Sequence, residues 1–537
     1  MKLLLYIAVV ASLFVFSQCA QKMTPSGGVR DLYPPALDTN KLTPAIPANF
    51  STNFEASEIT LQFNEYFILD KPMKNIIITP ILSQNPNYRI KGKKLIIGLE
   101  GELKDSTTYT INFGDAIKDI TEGNVTKNFN YVFSTGSYID SLSFKGKVYD
   151  AFTKSGVENA TVMLYEENTD SIPFKEKPMY FVKTSKTGSF TMEYLKAGKY
   201  KAVALLDENN NYLFNPKSEA IAFSNNQIEI PKPAPDTLEN TFVLFKEDLK
   251  KQFVLEKKYT PQGKINLTMN RLSDDLAISG INGLNLNPTW INYSGERDSI
   301  EFWIDTNDTK GKFISILIDD KSNGYTDTIK ITTPTPKKAQ LPPFVITHNA
   351  KKGLGNHSDL SLLFNKPLSK IDDSKLKLEL REEEVPLSVT QNSVREVIVS
   401  SGWAPGKKYV LTIYPNAFTT ILGESTDTVK VSFKYKEEKD YGKLFLNMEV
   451  EEGDYILQLL KDGKMVSQKT FKGDSFKHDY NQLAPGKYQI KLIYDKNSNS
   501  KWDTGVYLKH LQPETVVYYD GEISIRQGWD IDITWKL

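Results

Sequence analysis

Ile59-Thr60-Leu61-Gln62-Phe63-Asn64 alternates apolar and polar residues one by one. Side chains on a β-strand point to opposite faces in turn, so this stretch reads as a strand with one face on a core. The same period returns along the chain. Tyr109, Ile111 and Phe113 keep it, as do Val429, Val431, Phe433 and Tyr435. Even the charged run near Glu382 is preceded by Leu376, Leu378 and Leu380, spaced as a strand and not as a helix face. No long stretch carries the spacing of an amphipathic helix. Asn, Gly, Asp and Pro punctuate the chain about every ten residues, which points to an all-β chain of small sandwiches.

The first residues read as a targeting segment and are set apart from the fold. Lys2 precedes an apolar run from Leu3 to Phe16, shorter than the ~20 residues that span a bilayer. Ser17-Gln18-Cys19 follows, and Cys19 is the only cysteine. The arrangement resembles a lipobox, which implies that Cys19 becomes the acylated first residue of an outer-membrane lipoprotein. Gln18 departs from that pattern, where Ala, Gly or Ser is usual. The rest of the chain then has no thiol, so stability must come from apolar cores. Sixty-six basic residues balance sixty-six acidic ones, so no net field directs the chain to nucleic acid.

The chain also repeats itself. Leu195-Lys-Ala-Gly198-Lys-Tyr200 recurs as Leu483-Ala-Pro-Gly486-Lys-Tyr488, each followed by an Asp-x-Asn-x-Asn loop, at Asp207 and Asp495. Upstream, Leu61-Gln-Phe63-Asn64 matches Leu362-Leu-Phe364-Asn365, and Tyr109-Thr-Ile-Asn matches Tyr409-Val-Leu-Thr. The order is a pair of units, a middle unit, then the pair again. The expected divisions are a signal peptide (1–18), a lipidated Pro- and Gly-rich tether (19–48), two sandwiches (49–137 and 138–246) and a middle sandwich (247–333). A Pro-rich linker (334–343) and two further sandwiches (344–436 and 441–537) complete the chain, read as an elongated rod.

The first unit resembles the bacterial Ig-like domain described in S-layer proteins, through Phe63-Asn64-Glu65, Tyr109-Thr-Ile-Asn112-Phe113-Gly114, Asp119 and Phe133-Ser134-Thr135-Gly136. Its second copy is similar but lacks the Ser-Thr-Gly ending. The other unit resembles the transthyretin-like (carboxypeptidase-regulatory) sandwich, through Gly146-Lys-Val148, Gly156-Val157, Ala160-Thr-Val162, Thr187-Gly188-Ser-Phe190 and Gly198-Lys-Tyr200. Its copy keeps the second half of that pattern. The layout as a whole, with Pro25-Ser-Gly-Gly after the cysteine, is similar to Ig-like lipoproteins of Bacteroidota. Such modules are mostly structural or adhesive, so the resemblance implies fold more than function.

No catalytic constellation is legible. His348, His357, His478 and His510 are scattered without metal spacing, and no H-E-x-x-H, G-x-S-x-G or phosphate-binding loop occurs. No cofactor is expected beyond a structural Ca²⁺. For that ion, Asp495, Asn497, Asn499 and Asp503 stand at positions 1, 3, 5 and 9 of a loop, and Asp207, Asn209, Asn211 and Asn215 repeat the spacing with fewer carboxylates. Alternate oxygen-bearing side chains can converge on a hard cation. The alternative is a loop whose side chains cap its own backbone. Neither loop has Gly at position 6, where Tyr212 and Ser500 stand, or Glu at position 12.

Asp followed by Ser or Thr and a small apolar residue resembles the Bacteroidota O-glycosylation sequon, at Ser141, Ser171, Thr237, Ser299, Thr328 and Thr428. The expected function is a non-catalytic outer-membrane scaffold or adhesion lipoprotein that binds envelope proteins. Glycan binding is one alternative and needs a row of exposed aromatics on one face. A type IX secretion cargo is the other, suggested by Gly463-Lys-Met-Val466 followed by Leu483 to Ile490. Ala20-Gln-Lys-Met offers no acidic surface-export tag, which favours the periplasmic face.

Overall fold

The computed structural model describes residues 31–127, 129–231, 240–248, 251–260, 263–281, 284, 286–294, 298–304, 313–333, 343–355 and 357–537. The chain is almost entirely β and forms two compact units. The first runs to Lys147 and adds Glu158–Leu213 and Ser224–Thr241; the second holds Val148–Val157, Phe214–Phe223 and Phe242–Leu537.

In the first unit, one antiparallel sheet has the order Ala45–Ile46, Glu58–Gln62, Lys94–Gly98, Asn87–Lys91. Its partner sheet has the order Ile77–Thr79, Thr108–Asn112, Asn130–Ser134. The alternation does what the sequence implies. Ile59, Leu61, Leu95 and Ile97 from one sheet meet Tyr109, Ile111 and Phe133 from the other in one core. The Tyr109 and Phe133 rings stack with centroids 5.2 Å apart.

The expected tether reaches residue 48, yet its later part belongs to this sandwich. Ala45–Ile46 pairs with Glu58–Gln62, Leu37 bridges Phe63, and the Tyr131 hydroxyl donates to the Pro47 carbonyl at 2.8 Å. Proline cannot donate to a ladder but is tolerated beside an edge strand, so a Pro-rich composition did not exclude pairing here.

The rest of the first unit pairs residues 142–147 with Ser189–Leu195, and sets Thr161–Tyr165 between Tyr180–Lys183 and Gly198–Leu205. At Gly146 a Cβ would stand 2.2 Å from the Asn240 carbonyl oxygen, so only glycine fits that approach.

In the second unit, the middle sandwich sets Val254–Tyr259, Lys264–Met269, Ser299–Trp303 and Ile291–Tyr293 against Leu276–Gly280, Phe313–Asp320 and Tyr325–Thr332. The next sandwich repeats the first unit's order: Ile346–His348, Leu360–Phe364, Glu396–Ser400, Ser388–Ser393 in one sheet, and Leu376–Leu380, Lys408–Ile413, Val429–Lys434 in the other.

The C-terminal sandwich is built differently. Gly442–Lys461 and Lys464–Leu483 form a hairpin of two 20-residue strands, closed by Asp462 and Gly463, both at positive φ, as a tight hairpin turn requires. The register breaks between Glu449 and Gly453. Before the break the first strand pairs in parallel with Asp530–Lys536; after it, the strand pairs antiparallel with Gly486–Tyr494. A bulge bends the ribbon, so Leu446, Met448, Leu457 and Leu459 share one core with Ile490, Leu492 and Trp535.

Within the second unit, segments far apart in sequence also meet. The Phe152 and Trp502 rings lie 5.0 Å apart, and the Tyr518 hydroxyl donates to the Phe152 carbonyl at 3.3 Å. Thr504 donates to the Lys246 carbonyl at 2.7 Å, and the Gln512 amide donates to the Phe223 carbonyl at 3.1 Å. These contacts close a chain segment that includes the whole middle sandwich.

One buried charge anchors that middle sandwich. Burial alone would raise the Asp320 carboxyl, but hydrogen bonds from Ser273, Ser322, Gln252 and Asn323 overcome it and hold the group down at about 2. The Ser273 and Ser322 hydroxyls and the Gln252 amide each donate at 2.7 Å. A depressed carboxyl stabilises the fold above the unfolded value of ~3.9, and that stabilisation is lost as pH falls from there toward 2. Asp320→Asn should cost about 1–3 kcal/mol at neutral pH. Urea melts across pH 2 to 6 should show the wild type's advantage over the variant shrinking below about pH 4.

Candidate functional site

The two Asp/Asn loops each follow a strand whose last residues enter a tight turn. In the first unit, the Asp207 carboxylate accepts the Tyr212 N–H at 2.9 Å, Asn209 Oδ1 accepts the Asn211 N–H at 2.9 Å, and Asn211 Oδ1 accepts the Leu213 N–H at 2.7 Å. Asn215 belongs to the second unit, where its Oδ1 accepts the Lys217 N–H at 3.2 Å. The expected fourth position therefore caps a separate turn.

The Asp495 loop lies wholly in the second unit. Asp495 is 5% exposed, and its two oxygens accept the Asn499 N–H at 3.0 Å and the Ser500 N–H at 2.7 Å. Asn499 Oδ1 accepts the Lys501 N–H at 2.7 Å. The amides of Asn497 and Asn499 both donate to Asp503 Oδ2. The structure thus brings all four residues together, with the oxygens of Asp495 and Asn499 turned onto backbone N–H groups. Among the described residues, no group of three or more His, Cys, Asp or Glu side chains could hold a metal ion.

Ser498 and Ser500 adopt positive φ, as do Asn210 and Tyr212 in the first loop. The turn forms in both copies without glycine at position 6, against a left-handed penalty of about 1–2 kcal/mol per residue.

Two participants were missed. Glu514 is 6% exposed, and its carboxylate accepts the Lys496 N–H at 2.8 Å and the Asp503 N–H at 3.0 Å. Burial pushes its carboxyl up, aided by the charges of Asp503 and Asp495. Asp454 accepts the Ser498 hydroxyl. Neither has a spacing signal, because strand pairing brings them to the loop.

Trp502, inside this loop, does not face solvent as a sugar platform would. Its Nε1–H donates to the Glu514 carbonyl at 3.0 Å, and its ring packs on Phe152. Trp303 and Trp535 are buried, and Trp403 packs edge-on against Tyr409. Trp529 alone among the tryptophans stands out as exposed, with Arg526 over its ring, so the tryptophans do not form the row that a glycan reading expects.

Of the sequon residues, Ser141, Thr328 and Thr428 are exposed, while Ser171 and Ser299 are half-buried. Cys19 and Thr237 lie outside the described residues.

Residues 39–135 match the model of the bacterial Ig-like domain. No curated protein matches the chain. Among solved structures, surface layer protein SbsC, domains 1-6, is 13% identical, with 88% of this chain and 66% of that one covered at a TM-score of 0.14. The N-terminal four Ig domains of Dscam1 isoform 9.44 (with zinc) are 11% identical, with 74% and 100% covered at a TM-score of 0.17. Similarities this weak carry no argument about function.

The loop geometry makes a direct prediction. Asp495→Ala strips two backbone N–H groups of their acceptor, which costs about 1–3 kcal/mol in a buried setting. The resulting fall in melting temperature should be the same in chelator and in millimolar Ca²⁺. A fall seen only with calcium present would make the loop a cation site instead.

Proposed function

We propose that this chain is a non-catalytic, lipid-anchored scaffold or adhesion protein of the outer membrane, with its body on the periplasmic face and envelope proteins as its partners. The observation that carries the reading is the joining of two features in one chain. Cys19, the sole cysteine, follows the apolar run of residues 3–16. Behind it comes a series of β-sandwiches, the first of which matches the bacterial Ig-like domain over residues 39–135. Sandwiches of this kind present side chains on rigid sheets without needing a catalytic centre, so a row of them suits a spacer or docking role.

Attachment gives the clearest test. Two or more acyl chains hold a protein to a bilayer stably, whereas one chain binds only marginally. Cys19→Ser should therefore move the protein from the membrane fraction to the soluble fraction of its native host. Retention of the variant on membranes after a high-salt wash would contradict the lipid anchor.

A further inference from the structure

The first unit contains a pocket of about 410 Å³ whose lining joins apolar side chains, two lysines and the amides of Gln84, Asn85 and Asn210. Ile78 and Phe181, both buried, line it. Ile81, Leu82, Tyr88 and Tyr212, all half-buried, line it as well. Tyr212 is held there by a positive φ and packs on Phe181 with ring centroids 4.5 Å apart. Lys74 and Lys177 line the pocket too, both exposed. No Asp or Glu is among its lining residues. The volume lies in the ordinary range for small-molecule sites, which are mostly apolar with a few polar groups that fix orientation.

Lys74 and Lys177 are the charged side chains of this lining, and no carboxylate of the lining pairs with them. The Lys183 Nζ donates to the pocket residue Asn210 at 2.7 Å; burial depresses its ammonium, the Asp207 charge raises it, and the Lys74 charge depresses it by a smaller amount. An anion would pair with Lys74 and Lys177, and an apolar body would fill the rest of the space. A neutral apolar ligand would leave the lysines unused, and a sugar would leave the apolar side chains unmatched.

We propose that this pocket binds a single-chain fatty carboxylate, with its alkyl chain on Ile78, Leu82, Phe181 and Tyr212 and its carboxylate between Lys74 and Lys177. Each methylene that enters the pocket tightens binding about fourfold, the equivalent of ~0.8 kcal/mol per buried CH₂, until the pocket is full. The test uses the full chain carrying Cys19→Ser, titrated calorimetrically with hexanoate, octanoate and decanoate below their micelle concentrations.

Affinity should rise about fourfold per added methylene, decanol should bind at least about tenfold more weakly than decanoate, and added salt should narrow that gap. The double variant Lys74→Ala/Lys177→Ala should bring decanoate down to the level of decanol with an unchanged melting temperature, since both residues are exposed. Absence of decanoate binding, equal affinity for decanol, or a double variant that binds as the wild type does would each overturn the proposal. So would displacement of decanoate by an acidic apolar peptide that binds more tightly, which would make the pocket a peptide site.

Discussion

With Cys19 the only cysteine in the chain, no disulfide can join any two of its strands, and every position in the fold is held by non-covalent contact. Each sandwich therefore closes a core of its own. The first does so with Ile59, Leu61, Tyr109 and Phe133, the middle one with Ile265, Leu267, Phe302 and Ile316, and the C-terminal one with Leu446, Leu457, Ile490 and Trp535. The same constraint acts between domains. In the second unit the closing contact is a small apolar cluster of Ile456, Ile493 and Val516, against which Phe152, Trp502 and Tyr518 pack. Lys491 shares that site, 2% exposed, with its ammonium 2.8 Å from the centre of the Phe152 ring. Burial pushes that ammonium down to about 8, with Asp150 acting in the other direction. A cation on an aromatic face recovers part of the cost of burying it.

This closing contact links the Asp495 loop to distant segments of the second unit. Self-capping of the loop fixes Trp502 between Asn499 and Glu514, and Trp502 in turn meets Phe152. The loop thus has an architectural use.

The strands were legible because a half-buried sheet imposes a period of two, and Ile59-Thr60-Leu61-Gln62 records it directly. The repeat of the Ig-like unit was legible for the same reason. The edge of the first sandwich was not, since only Leu37 and Ala45 mark it amid prolines. Nor were the 20-residue strands of the C-terminal hairpin. Charged Glu451, Glu452 and Asp454 and the flexible Gly453 interrupt the apolar pattern at the bend, and the parallel pairing of Asp530–Lys536 is set by contacts far off in sequence. At the loops, the spacing of Asp495, Asn497 and Asn499 was visible, while Glu514 and Asp454 reach them through pairing that no local pattern encodes. Alternation tells which side chains face a core, but not which core. For that reason Phe152 and Trp502 gave no sign of each other.

The closure of the second unit is best tested by hydrogen–deuterium exchange on the full chain, comparing wild type with Trp502→Ala. If Trp502 holds the distant segments together, exchange should quicken around residues 149–157 and 221–223 as well as around 495–518, while the cores near Leu267 and Leu411 stay protected. Faster exchange confined to 495–518 would contradict the account, and would leave the contact with Phe152 as one that the fold does not need.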